Sequence, residues 1–468
     1  MADFEPIGEI AVEPAAACVF EHGWQSWSPS STYAASAAPP RPTAERNRVI
    51  GYRPGDAVPA DLFQGEGLLA VQPAPDAPVT VVAVAAADRE VASIRARLAG
   101  GRILLSADGP VETRVDAGPG GIDGALARWA DGFAASAGAG AIRRAPTIWC
   151  SWYHYFTKVT EADMDENLAT MSDLDLPIEV VQLDDGYEAE IGDWLELSNR
   201  FASLEGLIGR IRAADRRAGI WVAPYLVGAR SETARRHPEW LVHDEMTGAP
   251  VDAGYNWGQE LFALDATHPG ARTYLTEVFT RFHGLGIDFF KIDFIYAGAI
   301  PGWRHDPAPS AIEAYRSGIE LIRAAIGDSY LLGCGAPILP SVGLVDAMRI
   351  SPDTAPHWEP LEADLSKPGG RSSVLTGVGR AFQQGRFWVN DPDCIVARPG
   401  IEHRAELAEH IAHYGGLRGS SDRLADLDAW GLATTRRLLA ESPVAPFTES
   451  GAAVGISSLA AAAPDPAS

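Results

Sequence analysis

Lysine is almost missing from this chain. Of its 38 basic residues only three are lysines, Lys158, Lys291 and Lys367. Such a chain nevertheless keeps Lys291 inside its most apolar strand-like stretch, FFKIDF (289–294). A compact, flexible point charge suits such a place where a planar guanidinium fork does not fit. Cysteine is scarce too. Cys18, Cys150, Cys334 and Cys394 are widely spaced, which gives neither a disulfide framework nor a zinc pattern and predicts a reduced, cytoplasmic protein. No apolar run approaches the ~20 residues of a membrane span. The opening MADFEPIGEIAVEPAAACVF is acidic and lacks the basic-then-apolar order of a signal peptide. Positive charge is in deficit: the net charge is −24 and the pI about 4.8. That disfavours nucleic acid and anionic membranes and fits a neutral substrate. Histidines at metal-ligand spacing are absent, His154 being alone on its segment, so neither metal nor cofactor is expected.

A chain of 468 residues with 46% hydrophobic content has material for two or three domains, or one large barrel with additions. Residues 1–122 read as a β-sandwich. Short apolar runs such as VTVVAVAA (79–86) are punctuated by Pro, Gly and Ala, and VASIRARL and RILLSA flank Gly100 and Gly101 as a hairpin. In GWQSWSP (23–29) two tryptophans bracket a Gln and a Ser; they read either as a core or edge pair or as an aromatic wall for a neighbouring sugar site. Leu126, Trp129 and Phe133 have helical spacing in 121–138, and 123–146 reads as a linker helix.

From 147 to 441 apolar strands alternate with amphipathic helices. The strands are read at 148–155, 178–185, 219–226, 288–294, 329–335, 344–351, 386–391 and 417–422. Alternation of this kind predicts a (β/α)8 TIM barrel. A doubly wound open sheet is the runner-up, but WCSWYHYF offers no glycine-rich phosphate loop after the first strand. The long stretch 228–265 predicts an insertion on the loop face. The Ala-, Pro- and Ser-rich tail, 442–468, reads as partly disordered.

Nearly every strand ends in a polar or aromatic group: Trp152 and Tyr153, Asp184 and Asp185, Trp221, Lys291 and Asp293, Cys334, Arg349 just before Asp353, and Asp391. In a barrel those ends converge on one rim. Two carboxylates from different strands, with aromatic faces and hydroxyl-binding acids around them, suit glycoside cleavage. Lys291 and Asp293 lie two apart, on one strand face; the cation favours the ionised form a nucleophile needs. Asp353 should then sit where charge is less welcome, as an acid must. The Asp184–Asp185 pair reads equally as a turn or helix cap before Gly186, and Asp391 equally as a turn-former.

WCSWYHYF, QLDDGY, GIWVAPY, FFKIDF, GCGAPILPSVGLVDAMRISPDTAPHW and RFWVNDPDC, in this order and spacing, resemble the retaining α-galactosidases of glycoside hydrolase family 36. GWQSWSP resembles that family's N-terminal tryptophan motif. The resemblance implies a β-sandwich followed by a catalytic barrel, with Asp293 as nucleophile and Asp353 as general acid/base. It implies Asp184 and Asp185 on the 4- and 6-hydroxyls, and Lys291, Arg349 and Tyr153 as sugar contacts. Trp152 and Trp221 would be pocket walls, Cys334 and Gly335 would face the 2-hydroxyl, and Trp24 would reach in from the sandwich. Against the family, the N-terminal domain is expected to be shortened and the C-terminal β-domain reduced or absent.

The expected activity is exo-acting, retaining hydrolysis of terminal α-linked galactose from small neutral oligosaccharides of the melibiose and raffinose type, with the two carboxyl groups about 5–5.5 Å apart. An α-N-acetylgalactosaminidase, another retaining α-glycosidase and a non-catalytic sugar-binding relative are the alternatives. No nucleic-acid or membrane partner is expected, and a homo-oligomer is compatible with the sequence.

Overall fold

The computed structural model describes residues 4–42, 47–55 and 57–441. The tail expected to be partly disordered, 442–468, lies outside the described residues. Among the described residues no helix is long and apolar enough to cross a membrane.

Two antiparallel sheets form the N-terminal part. One runs Glu5–Ala11, Arg102–Ala107, Ser93–Ala99, Phe63–Glu66 in spatial order; the other runs Ser31–Ala34, Cys18–Glu21, Leu68–Gln72, Val79–Ala83, Glu112–Asp116. The hairpin read around Gly100 and Gly101 is there, with Ala99 paired to Arg102 and both glycines at positive φ (56° and 74°). A two-residue turn of that kind matches the twist of the strands it joins.

The five-stranded sheet is covered on both faces, and strand periodicity sorts its side chains. Leu69, Val71 and Val82 face Ile94, Ile103 and Leu105 of the other sheet. Leu68, Ala70, Val81 and Ala83 point the other way, into the main core. There they meet the helix Gly121–Ser136, which buries Ala125, Leu126 and Phe133. The same helix touches the barrel through Phe133 and Phe387, whose ring centroids lie 5.8 Å apart. It is the apolar joint between the two parts.

The barrel sheet has eight parallel strands: Thr147–Cys150, Val180–Leu183, Arg217–Val222, Ile287–Ile292, Tyr330–Gly333, Ala347–Arg349, Val389–Asp391 and Arg418–Ser420. From the first to the seventh each pairs with the next, and the eighth pairs with the first. The seventh and eighth close the ring more loosely, through Leu417 N–H donating to the Asn390 carbonyl at 2.9 Å. Phe289, Tyr330, Leu332 and Val389 belong to an apolar plug of inward-facing side chains.

All eight strands are shorter than the sequence suggests, and in the first and third the chain turns over the rim. The first ends at Cys150, and Trp152–Tyr155 is one helical turn; Tyr153 N–H donates to Ser421 Oγ at 2.8 Å and Ser421 Oγ to the Cys150 carbonyl. The third ends at Val222. The following Leu226–Gly228 joins Gln259–Ala263 and Asp252–Asn256 in a separate three-stranded sheet, which is the insertion above the rim.

Leu126, 1% exposed, is a test of the joint. Leu126→Ala should cost about 2–5 kcal/mol, read as a lower urea midpoint.

Candidate active site

The fourth strand delivers Lys291 and Asp293 to one face, and both line a cavity of about 280 Å³ over the barrel's C-terminal rim. That is the small end of ligand-pocket sizes. Trp152, Asp184, Asp185, Trp221 and Asp353 share its wall. Seven of the twelve site residues expected from the sequence thus line one space, although they span 152 to 353 in the chain.

Asp293 is held by donors. Trp221 Nε1 donates to Oδ2 at 2.9 Å, and Phe294 N–H donates to Oδ1 at 2.8 Å. Its own N–H donates to the Val222 carbonyl, which continues the sheet. Phe294, immediately after it, sits at φ +51°. That is an uncommon conformation for a bulky residue and is sustained only by surrounding contacts. Here the contacts are Trp27 and Trp257, with ring centroids 4.8 and 5.1 Å from that of Phe294.

Lys291 is more evenly shared than the sequence pattern suggests. Its Nζ lies 3.0 Å from Asp184 Oδ2 and 3.7 Å from Asp293 Oδ2. Burial alone would lower the ammonium, but Asp184 and Asp293 outweigh it and hold Lys291 well above the usual lysine range. Asp184 Oδ2 also accepts from Gln182 Nε2 at 2.6 Å. Asp185 accepts from Trp257 Nε1 at 2.7 Å. Burial and the neighbouring Glu188 push the Asp185 carboxyl well above the usual range.

A second charge cluster lies on the other side. Arg349, on the sixth strand, is fully enclosed by acids: Nη1 donates to Asp353 Oδ1 at 3.0 Å, Nε to Asp391 Oδ2 at 3.0 Å, and Nη2 lies 2.8 Å from Asp393 Oδ1. The Tyr153 hydroxyl donates to Asp393 in turn. Tyr153 and Arg349 therefore stand behind Asp353 rather than on the cavity wall. Burial, then the charge of Asp393, raises Asp353 to about 7, with Arg349 and Lys291 opposing. The side chain keeps 27% of its surface exposed, so it faces the cavity with Arg349 and the like charge of Asp393 behind it. One carboxyl held by donors and one pushed towards neutrality is the division of labour that acid–nucleophile pairs need.

Besides Tyr153 and Arg349, three further expected residues lie off the cavity wall. Trp24 does not reach this cavity: it lies in a separate groove lined by Arg53, Asp108 and Pro301, with the Arg53 guanidinium 4.8 Å over its ring. The cavity is lined instead by Trp27, three residues later in the same motif. Cys334 and Gly335 are fully buried and are not wall residues. Gly335, at φ +53°, leaves no room for a Cβ, which would stand 2.8 Å from Trp27 Cη2 and 3.0 Å from Phe294.

Sequence reasoning also missed Trp257 and Asp393. Trp257 and Gly258 form a two-residue turn at φ +51° and +70° between Asn256 and Gln259, which pair. Asn or Asp is the usual first residue of such a turn. The signal was present as a glycine following an Asn-Trp pair, but nothing local says that this turn overhangs the rim. Asp393 stands in the same NDPD run as Asp391.

Among known proteins, the melibiase family model matches residues 140–300. Alpha-galactosidase AgaA of Geobacillus stearothermophilus is 30% identical over 115 residues, 23% of this chain and 15% of that protein. The bifunctional alpha-galactosidase/sucrose kinase AgaSK of Mediterraneibacter gnavus is 29% identical over 108 residues, 21% of this chain and 11% of that protein. These matched segments are thus a small part of either relative's length. Among solved structures, the Thermus thermophilus alpha-galactosidase TtGalA in complex with p-nitrophenyl alpha-D-galactopyranoside superposes with a TM-score of 0.77 at 29% identity, covering 95% of this chain and 89% of that one. The Geobacillus AgaA structure shares the fold at a TM-score of 0.61 and 13% identity, covering 92% of this chain and 61% of that one. The matched segment, together with an architecture shared over nearly the whole described chain, makes this chain similar to alpha-galactosidases of the melibiase family.

Proposed function

We propose that the chain is an exo-acting, retaining α-galactosidase that removes terminal α-linked galactose from small neutral oligosaccharides. The observation that carries this reading is that Asp293, held by indole and amide donors, and Asp353, raised by burial and Asp393, open into one monosaccharide-scale cavity. The complex of TtGalA with an aryl α-galactoside supports the choice of sugar.

In this mechanism Asp293 attacks the anomeric carbon while Asp353, in its protonated form, gives its proton to the leaving oxygen. The C–O bond to the aglycone breaks as the Asp293–sugar ester forms. Asp353, now ionised, then takes a proton from water, which attacks the same carbon and releases galactose and Asp293. Trp221 and the Phe294 amide orient the attacking carboxylate. Lys291 compensates its charge and that of Asp184. Asp184 accepts hydrogen bonds from sugar hydroxyls, and Asp185, held by Trp257, lies where it meets them too. Arg349 keeps Asp353 aimed, and Asp391 and Asp393 hold Arg349.

Hydrolysis of p-nitrophenyl α-galactoside followed by NMR tests the reading directly. The first product should be α-galactose; β-galactose as first product would overturn the retaining course. Faster turnover of the N-acetyl analogue would change the sugar and leave the chemistry standing. Asp293→Ala should lower kcat by at least about 10³-fold on every substrate. Asp353→Ala should cost about 10²–10⁴-fold on a disaccharide and much less on the aryl substrate, whose leaving group needs little protonation. Because Asp353 works as an acid from a raised starting point, kcat/KM on a disaccharide should fall as pH rises through about 7. That limb should be missing from the Asp353→Ala profile.

A further inference from the structure

Arg380 is a fully buried charge with no carboxylate among its hydrogen-bond partners. It follows the helix Gly370–Gly379, where a cation is favoured by the carbonyl end of the helix dipole. Its Nη1 donates to the carbonyls of Ser26 and Ile350, the latter at 2.8 Å. Its Nη2 donates to the carbonyls of Gln25 at 2.7 Å, Ser28 at 3.0 Å and Gly23 at 3.3 Å. Four of these five acceptors belong to the GWQSWSP loop. The fifth sits between Arg349 and Asp353. The approach is close: a Cβ on Gly379 would stand 2.1 Å from the Ser30 carbonyl oxygen.

The loop that Arg380 grips carries a wall of the cavity. Trp27 lines it directly. Ser28 Oγ donates to the Gly51 carbonyl at 2.7 Å and Gln25 Nε2 donates to the Ile50 carbonyl, and both Ile50 and Gly51 line the cavity as well. On its other side the loop is tied to the segment after Gly335. Ser26 N–H donates to the Ala336 carbonyl at 3.0 Å, Ala336 N–H to Ser26 Oγ at 3.0 Å, and Ile338 N–H to the Trp24 carbonyl at 2.9 Å.

We infer that Arg380 is a positioning residue that fixes the N-terminal tryptophan loop and the segment between the sixth strand and the acid Asp353 in one register, so that Trp27 and Asp353 frame the same substrate. Backbone carbonyls suit this role better than a carboxylate, because several segments must be gathered at once and a single acid would satisfy only one contact. The cost is visible: burial pulls the guanidinium down to about 9, and its Nε has no hydrogen-bond partner. A buried cation of this kind weighs against stability unless its geometry does something else. The inference rests on the galactosidase reading for its catalytic consequence and on the coordinates alone for the coupling.

The test uses the full chain with Arg380→Met, which keeps an unbranched apolar stem and removes every donor, and Arg380→Lys, which keeps the cation and three donors. Amide hydrogen exchange is followed in peptides covering 23–29 and 350–354, with the hairpin 93–107 as control. In Arg380→Met both segments should exchange faster by about tenfold or more while the hairpin is unchanged, and Arg380→Lys should restore most of the protection. Loosening of only one segment, of neither, or of the hairpin to the same extent would overturn the inference. On activity, Arg380→Met should lose about 10–100-fold in kcat/KM on a disaccharide and clearly less on p-nitrophenyl α-galactoside. Equal losses on both would mean a general structural role and would also overturn it. Should the unmodified protein hydrolyse neither galactoside, the functional reading falls and the exchange data alone decide the coupling.

Discussion

Acids crowded onto the rim of a barrel repel one another, and two buried cations make the crowding tolerable here. Lys291 lies between Asp184 and Asp293, and Arg349 among Asp353, Asp391 and Asp393. In a low-dielectric interior an uncompensated carboxylate costs several kcal/mol and takes up a proton instead. The two cations do not compensate equally. Asp293 gains indole and amide donors in addition to Lys291. Asp353 shares its paired cation, Arg349, with two further acids, and burial with Asp393 lifts it to about 7. Burial and the like charge of Asp393 act on Asp353 against a cation that three acids share, while Asp293 is held by two hydrogen-bond donors.

Geometry is maintained by aromatic packing around strained backbone. Phe294 and Trp257 both lie at φ +51°, and they contact each other. Trp257 also donates to Asp185 and lies near Trp221, which donates to Asp293. The insertion between the third and fourth strands, the strand end bearing Asp293 and the N-terminal loop bearing Trp27 thus meet through ring contacts at one point. Strain of this sort persists where the surroundings over-determine it, which is commonly at a functional site.

The barrel was legible because its signal is repetitive: eight apolar strands with helices between them leave few topologies. The site was legible where strand periodicity operates, as for Lys291 and Asp293. It was less so where the chain leaves regular structure. WCSWYHYF reads as one long strand, yet Tyr153 is bent away to hold Asp393, because Ser421 captures the Tyr153 amide. In GWQSWSP either tryptophan could face the cavity, and Trp27 does so while Trp24 is covered by Arg53.

The order of apolar runs, the scarcity of lysine and the acids at strand ends determined, by themselves, the barrel, the rim and most of the acids gathered there, Asp393 excepted. These are matters of local pattern, which a one-dimensional chain records directly. Only the tertiary structure decided which acid each cation serves, that Arg349 stands behind Asp353, that Trp27 and Trp257 close the cavity, and that Cys334 and Gly335 lie behind its wall. Those outcomes depend on contacts between segments far apart in the chain. Their relative placement is set by packing around a shared core, and no single segment encodes it.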